Sequence, residues 1–201
     1  RSSVNKIFKK RIDFIKKIYK KMESLDKLLL KYSKLYPQEK VPLEMLKFLR
    51  IDDCFSKKNS KGHFTGSAWL VNPEKDKILM NHHKKLDKWI QFGGHSDGEK
   101  NLLETALREM EEETSISNYK LVTKDIFDVD IHFIPRTNNM PAHYHYDVRF
   151  LIEADPDKNQ ISLSKESIDI IWVPIEEVCN YNSEDSIQRM VNKTQSIVGN
   201  S

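Results

Sequence analysis

The stretch that decides the fold runs from Gly93 to Glu113 and reads GGHSDGEKNLLETALREMEEE. It leads from a glycine pair into a segment of helical periodicity that carries many acidic residues. Residues 101–114 are therefore predicted to form a helix. Its apolar side, which we expect to pack on a sheet, is formed by Leu103, Ala106, Leu107, Met110 and Thr114.

A second face of this predicted helix is acidic. Glu109, Glu112 and Glu113 are related as i, i+3 and i+4, so their carboxylates repel one another. They also lie near the helix C-terminus, where the macrodipole disfavours negative charge. A divalent cation would explain the arrangement, because Mg²⁺ and Mn²⁺ prefer oxygen ligands. The alternative is a solvated helix with surplus charge.

The same stretch resembles the Nudix box, G-x5-E-x7-R-E-U-x-E-E-x-G-U, in which U is an aliphatic residue. Aligned on the run REMEEE at 108–113, the leading glycine is Gly94 and the closing aliphatic residue is Ile116. Two positions depart from the pattern, since Lys100 stands in place of a glutamate and Ser115 in place of a glycine. The first departure leaves Glu99 or Glu104 to support the loop by hydrogen bonds.

The resemblance implies a role for each matching residue. Glu109 and Glu112 are expected to be catalytic, and which of them is the base stays open. Arg108 is expected to orient the carboxylates, and Glu166 is a candidate for an additional metal ligand or base. The full set of metal ligands implied for Mg²⁺ or Mn²⁺ is the Gly93 carbonyl, Glu109, Glu112, Glu113 and Glu166.

The resemblance extends over about residues 50–180 and implies an α+β Nudix fold. In this fold a mixed β-sheet is sandwiched between helices. We expect an N-terminal helical extension at residues 1–55 and the Nudix domain at 56–201. Apolar periodicity predicts helices at about 4–33 and 43–49, strands at 64–71, 77–81, 119–133, 143–153 and 169–173, a short extended run at 89–92, and a last helix opening at Pro174.

The run HYHYDVRF at 143–150 is a second candidate for the site. In a strand, alternate side chains share a face, so His143, His145, Asp147 and Arg149 would lie together. One interpretation is the polar side of an edge strand, and the other is a cleft that contacts phosphates or a base. A zinc site is not predicted, because a His-x-His pair without a third ligand at matching spacing is weak evidence.

Substrate contacts are expected from residues around the glycine turn and this strand. His95 follows the glycine pair directly, and Arg136 lies in the polar loop PRTNN. The simpler interpretation of Trp89 is a core residue, and that of His82 and His83 is a pair of surface residues at a strand end. The predicted substrate-binding residues are therefore His95, Arg136, His143, His145 and Arg149.

Composition limits the classes of partner. The longest apolar runs fall short of the about 20 residues that a membrane span needs, so no membrane partner is expected. Two distant cysteines, Cys54 and Cys179, favour a reducing cytoplasm over a disulfide scaffold. Residues 1–21 are strongly basic, although the net charge is only +3. We expect this segment to be the solvated face of a helix that packs on the domain or on a second copy.

The predicted function is metal-dependent hydrolysis of a diphosphate linkage in a nucleotide or nucleoside diphosphate derivative. The expected partner is a small-molecule nucleotide, and the candidates are ADP-ribose, a dinucleotide and a nucleoside triphosphate. One alternative is a nucleotide-binding module without turnover. The other is removal of RNA caps or 5′ ends, which would place the basic segment 1–21 against nucleic acid.

Overall fold

The computed structural model describes residues 23–136 and 140–199. Within them, eight strands form one mixed sheet with helices on both faces. The strands are β1 (Gly62–Val71), β2 (Lys77–His83), β3 (Lys88–Ile90), β4 (Phe92–His95), β5 (Tyr119–Leu121), β6 (Asp128–Ile134), β7 (His143–Ala154) and β8 (Ser167–Pro174). The helices are α1 (Leu25–Leu35), α2 (Val41–Phe48), α3 (Leu102–Thr114), α4 (Val178–Tyr181) and α5 (Asp185–Gly199).

Strand β1 lies at the centre of the sheet, and all ten of its residues are buried. It pairs in parallel with β7 along its whole length, from Gly62 opposite Tyr144 to Val71 opposite Glu153. On its other side it pairs antiparallel with β2 and with β4. Continuous burial is typical of a strand covered on both faces. The predicted mixed sheet between helices is therefore confirmed.

Two apolar cores cover the faces of this sheet. The first joins the sheet to α1, α2 and α3 through side chains such as Leu29, Met45 and Met110. The second joins it to α5 through Trp69 and Met190. Part of the predicted extension thus shares a core with the sheet, although the division at residue 55 stays a prediction.

The strand predicted at 119–133 is interrupted. Strands β5 and β6 both run antiparallel to β7, and the segment between them keeps backbone bonds to β7 only at its ends, through the Val122 and Phe127 N–H groups. In this segment the Thr123 hydroxyl accepts a hydrogen bond from the Asp125 N–H at 3.1 Å, a local bond that competes with strand pairing. The next residues, Ile126 and Phe127, enter opposite cores.

The chain after Pro174 forms two helices rather than the predicted single one. Asn182 separates α4 from α5, because its side-chain oxygen accepts from the Glu184 N–H at 2.9 Å and its amide donates to the Trp89 carbonyl at 2.8 Å. The extended run predicted at 89–92 is likewise divided into β3, which pairs with β2, and β4, which pairs with β1.

The helix predicted at about 4–33 falls largely outside the described residues, which include its end as α1. The basic segment 1–21 lies outside them as well. Among the described residues, every helix is too short or too polar to cross a membrane.

Ser115 closes α3 in the left-handed conformation, with φ +63° and its N–H donated to the Glu111 carbonyl at 2.9 Å. Glycine adopts this conformation without steric cost. We expect Ser115→Gly to raise the free energy of unfolding by about 0.5–1 kcal/mol, which is about 1–4 °C in melting temperature. Thermal melts would show this, with Ser117→Gly, an exposed neighbour at ordinary φ, as the control that does not gain stability.

Candidate functional site

Helix α3 approaches the sheet closely where it begins. A Cβ atom at Gly66 of β1 would lie 2.4 Å from the Leu102 carbonyl oxygen and 3.0 Å from Thr105 Cβ. Only glycine leaves room for the helix at this point. The predicted apolar side of α3 is buried as expected, and the acidic face is left pointing toward β4.

The glycine pair of β4 makes room for a carboxylate. A Cβ atom at Gly94 would lie 2.5 Å from the Glu109 carboxyl carbon, and one at Gly93 would lie 2.2 Å from the Ser67 hydroxyl. Glu109 therefore packs directly against the strand. Burial raises its pKa above the ordinary value, although the adjacent Arg108 opposes the shift.

Glu113 is the buried member of the acidic face, with 9% of its surface exposed. One carboxylate oxygen accepts from the Asn81 amide at 3.0 Å, and the other faces the Gly93 N–H at 3.5 Å. Burial raises the pKa of Glu113 to about 8, with further contributions from Glu109 and Glu166. Clustered carboxyls with raised pKa values are typical of functional sites.

Arg108 joins the exposed part of the cluster to β4. One guanidinium nitrogen lies 2.7 Å from Glu109 and 3.6 Å from Glu112, whose side chain is 63% exposed. The other nitrogen donates to the His95 carbonyl at 2.9 Å. This placement agrees with the orienting role of Arg108, which stays a prediction.

Glu166 lies in the loop before β8 and belongs to the same neighbourhood. Its backbone carbonyl accepts from the Lys84 N–H at 2.7 Å, and its mostly exposed carboxylate lies 3.8 Å from His83. It contributes to the raised pKa values of both Glu109 and Glu113. The role of Glu166 and of the other glutamates as metal ligands stays a prediction, because their carboxylates do not converge into a compact ligand group within the described residues.

The two glutamates predicted to support the loop before α3, in place of a glutamate at position 100, lie on either side of the helix start. Glu99 accepts from the Asn101 N–H at 2.8 Å, and Glu104 accepts from the Asn101 amide at 3.1 Å. Both candidates for loop support therefore hydrogen-bond to the residue where the helix begins. Lys100 itself is exposed.

Strand β7 is interior, so the edge-strand interpretation of 143–150 is wrong. It pairs with β1 on one side and with β5 and β6 on the other. His143 and His145 face His63 of β1, and their rings lie within 5.0 Å of the His63 ring, centre to centre. His95 joins them at 4.9 Å from His63.

His63 is the residue that sequence reasoning missed. It lies 80 or more positions from the histidines of β7, and only the parallel pairing of β1 with β7 places it opposite His145. The sequence of polar and apolar residues from Gly62 to Ala68 does not indicate which strand β1 pairs with. A prediction of strand order would have been needed to find it.

Arg149 is placed differently from the expectation of a substrate contact. Its side chain is 3% exposed, and its guanidinium bonds Asp147 at 2.8 Å, Asp128 at 3.1 Å and Asp130 at 3.5 Å. Three carboxylates thus occupy its donors, and a phosphate has no access. Arg136 is exposed just after β6, where its role in binding stays a prediction.

Known proteins resemble about half of this chain in sequence. Asymmetrical bis(5′-nucleosyl)-tetraphosphatase of Rattus norvegicus is 29% identical over 102 residues, which are 51% of this chain and 66% of that protein. A Lactococcus lactis protein named "Probable DHNTP pyrophosphohydrolase" is 29% identical over 98 residues, 48% of this chain and 58% of that protein. The match therefore spans less than two thirds of these relatives' length.

Solved structures share the fold. An Ap4A hydrolase of C. elegans has a TM-score of 0.50 at 14% identity, covering 69% of this chain and 98% of that one. A NUDIX-family hydrolase of Clostridium perfringens has a TM-score of 0.50 at 24% identity, covering 67% and 97%. The family model of the NUDIX domain matches residues 63–193, more than half of the chain. The chain belongs to the NUDIX family.

Proposed function

We propose that the protein is a metal-dependent pyrophosphohydrolase that cleaves a diphosphate linkage in a nucleotide or nucleoside diphosphate derivative. The observation that carries the proposal is the acidic face of α3 beside the glycine pair, where Glu109 packs on Gly94, Glu113 faces the Gly93 N–H, and Arg108 lies between Glu109 and Glu112. A structural role would not collect like charges at the end of a helix.

The donor set fits Mg²⁺ or Mn²⁺. Glu109, Glu112 and Glu113 offer carboxylate oxygens, the Gly93 carbonyl offers another, and Glu166, whose charge acts on Glu109 and Glu113, is the candidate for a further ligand. The raised pKa of Glu113 reflects burial beside other acids, a situation that a divalent cation would relieve. When bound, the cation would screen the diphosphate charge and lower the pKa of a water ligand.

The side chains of the cluster suit different roles in the proposed reaction. Asn81 and the Gly93 N–H fix Glu113, so this residue suits a ligand role. Glu112 is the most exposed of the three and suits proton transfer from the attacking water. Glu109 is the other candidate for the base. Arg108 would keep both of these carboxylates oriented.

The substrate would extend from this cluster past β4, where Arg108 bonds the His95 carbonyl. Half-buried His95 and His145 would meet it, and Glu166 acts on both His95 and the acidic cluster, whereas His143 is 4% exposed and, contrary to expectation, is not placed to contact a substrate. The relatives named above as acting on bis(5′-nucleosyl) tetraphosphates and on DHNTP make polyphosphates of this kind the first compounds to test. A cytoplasmic location and pairing with a second copy remain proposals.

A substrate panel tests the proposal. It should contain ADP-ribose, dinucleoside tetraphosphates, nucleotide sugars, nucleoside triphosphates, DHNTP and capped RNA. We expect Mg²⁺- or Mn²⁺-dependent phosphate or nucleotide release from at least one small molecule, and loss of that release on chelation. Nucleotide binding without any hydrolysis would instead favour a binding module, and turnover of RNA alone would favour 5′-end processing.

A further inference from the structure

Five of the seven histidines of the chain lie on one face of the sheet. They come from four different strands, and each ring lies within 5.4 Å of another ring of the group, centre to centre. This face is opposite the one on which α3 packs. The group consists of His63, His95, His132, His143 and His145.

Three of these histidines converge on one point. His63, His95 and His145 each offer a ring nitrogen, and the three nitrogens lie within 4.8 Å of one another. Ligands at about 2.0–2.1 Å in a tetrahedron lie about 3.3–3.4 Å apart, so the three rings would have to move toward one another by about 1 Å to hold a transition-metal ion. No other such group of histidine, cysteine or acidic side chains occurs among the described residues.

His63 lacks the hydrogen bonds that a buried imidazole needs. It is 0% exposed, and neither of its ring nitrogens has a partner within the described part of the chain. A buried polar atom without a partner destabilises the folded state. A metal ion between the rings would supply the missing partner of one ring nitrogen and would explain why His63 is buried here.

His143 fixes the orientation of His145. The Nδ1 atom of His143 lies 2.8 Å from the Pro141 carbonyl and must donate to it, so its Nε2 atom is an acceptor. The Nε2 atom of His145 lies 3.1 Å from that acceptor and donates to it. The free lone pair of His145 is then on Nδ1. An outer partner of this kind is typical of metal-binding histidines.

The chemistry of the three rings selects the ligand. All three candidate ligand atoms are imidazole nitrogens, with no carboxylate oxygen among them. Imidazole binds a metal ion through the lone pair of a ring nitrogen. Mg²⁺ prefers oxygen ligands, whereas imidazole nitrogens suit Zn²⁺.

We propose that His63, His95 and His145 form a three-histidine Zn²⁺ site, separate from the glutamate cluster. Three protein ligands leave a fourth position for water or for a substrate oxygen. The two sites are linked, because Arg108 bonds the backbone carbonyl of His95 while its other nitrogen pairs with Glu109. His95 and His145 would then meet the substrate through the ion.

Metal binding to the full chain tests this site. Chelator-treated protein in excess Mg²⁺, which occupies the carboxylates, is titrated with Zn²⁺ by calorimetry. We expect one equivalent to bind, and the same protein with Co²⁺ to show the visible absorption of a tetrahedral nitrogen-ligated ion. His63→Gln, His95→Gln and His145→Gln should each weaken Zn²⁺ binding by at least about 100-fold, since even outer partners are worth about 10- to 100-fold.

Two controls make the result specific. His82→Gln should keep wild-type Zn²⁺ affinity, because His82 stacks on Trp89 and pairs with Asp87 away from the three rings. Glu113→Gln should keep it as well. His95 and His145 are only half-buried, so their variants bear on the site even if His63→Gln disturbs folding. Zn²⁺ affinity that survives all three histidine changes, or a Co²⁺ spectrum without tetrahedral character, would overturn the proposal.

Discussion

Glu112→Gln is expected to lower metal-dependent hydrolysis by about 10²- to 10⁴-fold, the usual contribution of a positioned general base. The carboxylate is 63% exposed at the end of α3, with one long contact of 3.6 Å to Arg108. The amide keeps the shape of the side chain and removes its charge and basicity. Stability should therefore change by less than about 0.5 kcal/mol. Initial rates on the active member of the panel, with thermal melts, would measure both effects.

Glu111→Gln is the matched control for this change. It makes the same substitution one position earlier on the same helix, where the carboxylate accepts from the Tyr119 hydroxyl at 2.9 Å instead of facing the cluster. We expect its rate to stay within a few-fold of the wild-type rate. If Glu112→Gln retained full activity while Glu109→Gln lost it, the base would be Glu109. Full activity in both variants would contradict the proposed site.

Arg149→Gln is expected to destabilise the fold by about 3–5 kcal/mol, because it leaves the buried Asp147 without its counter-charge, while Asp128 keeps Arg189 and Lys193 as partners. Asp128 and Asp147 are 0% and 2% exposed, and the guanidinium contacts both as well as Asp130. For a chain of this length the melting temperature should fall by about 6–20 °C. Thermal or urea unfolding in the presence of chelator would measure this loss without any contribution from metal.

The pH dependence adds a check on the cause. Although burial opposes it, Arg149 holds the pKa of Asp147 below its usual value. Such a carboxylate stabilises the fold above its unfolded pKa, and that contribution is lost as the pH falls through the lower folded value. The difference between wild type and Arg149→Gln should therefore shrink in acid. Arg136→Gln, at an exposed arginine, should leave stability within about 0.5 kcal/mol at any pH.

The local parts of the fold could be predicted from the sequence. The helix predicted at 101–114 is α3, and the predicted sheet strands lie close to their observed bounds, because hydrophobic periodicity reports directly on burial. The interruption at 122–127 could not be foreseen. It depends on Ile126 and Phe127 entering different cores, and those cores exist only once helices cover both faces of the sheet.

The site likewise has a part that could be predicted from the sequence and a part that could not. The glutamates of α3 lie within one helix, so spacing alone places them together. The surroundings of Arg149 come from β6, whose aspartates are more than 15 positions away in sequence. His63 is further still from His145. Contacts between strands depend on their order in the sheet, and period-two alternation of polarity contains no information about that order.

The parallel pairing of β1 with β7 has a consequence for the order in which the molecule assembles. Ten residue pairs join segments about 80 positions apart. The chain must therefore lose the conformational entropy of a long loop before the contacts between the two strands can stabilise it. The imidazole group depends on that closure, because His63 lies on β1, whereas the aspartates around Arg149 need only the pairing of β6 with β7. A nascent chain that has not yet emerged through β7 can form α3 with its glutamates but neither of these clusters, and backbone amides of β1 should be among the last to exchange with solvent.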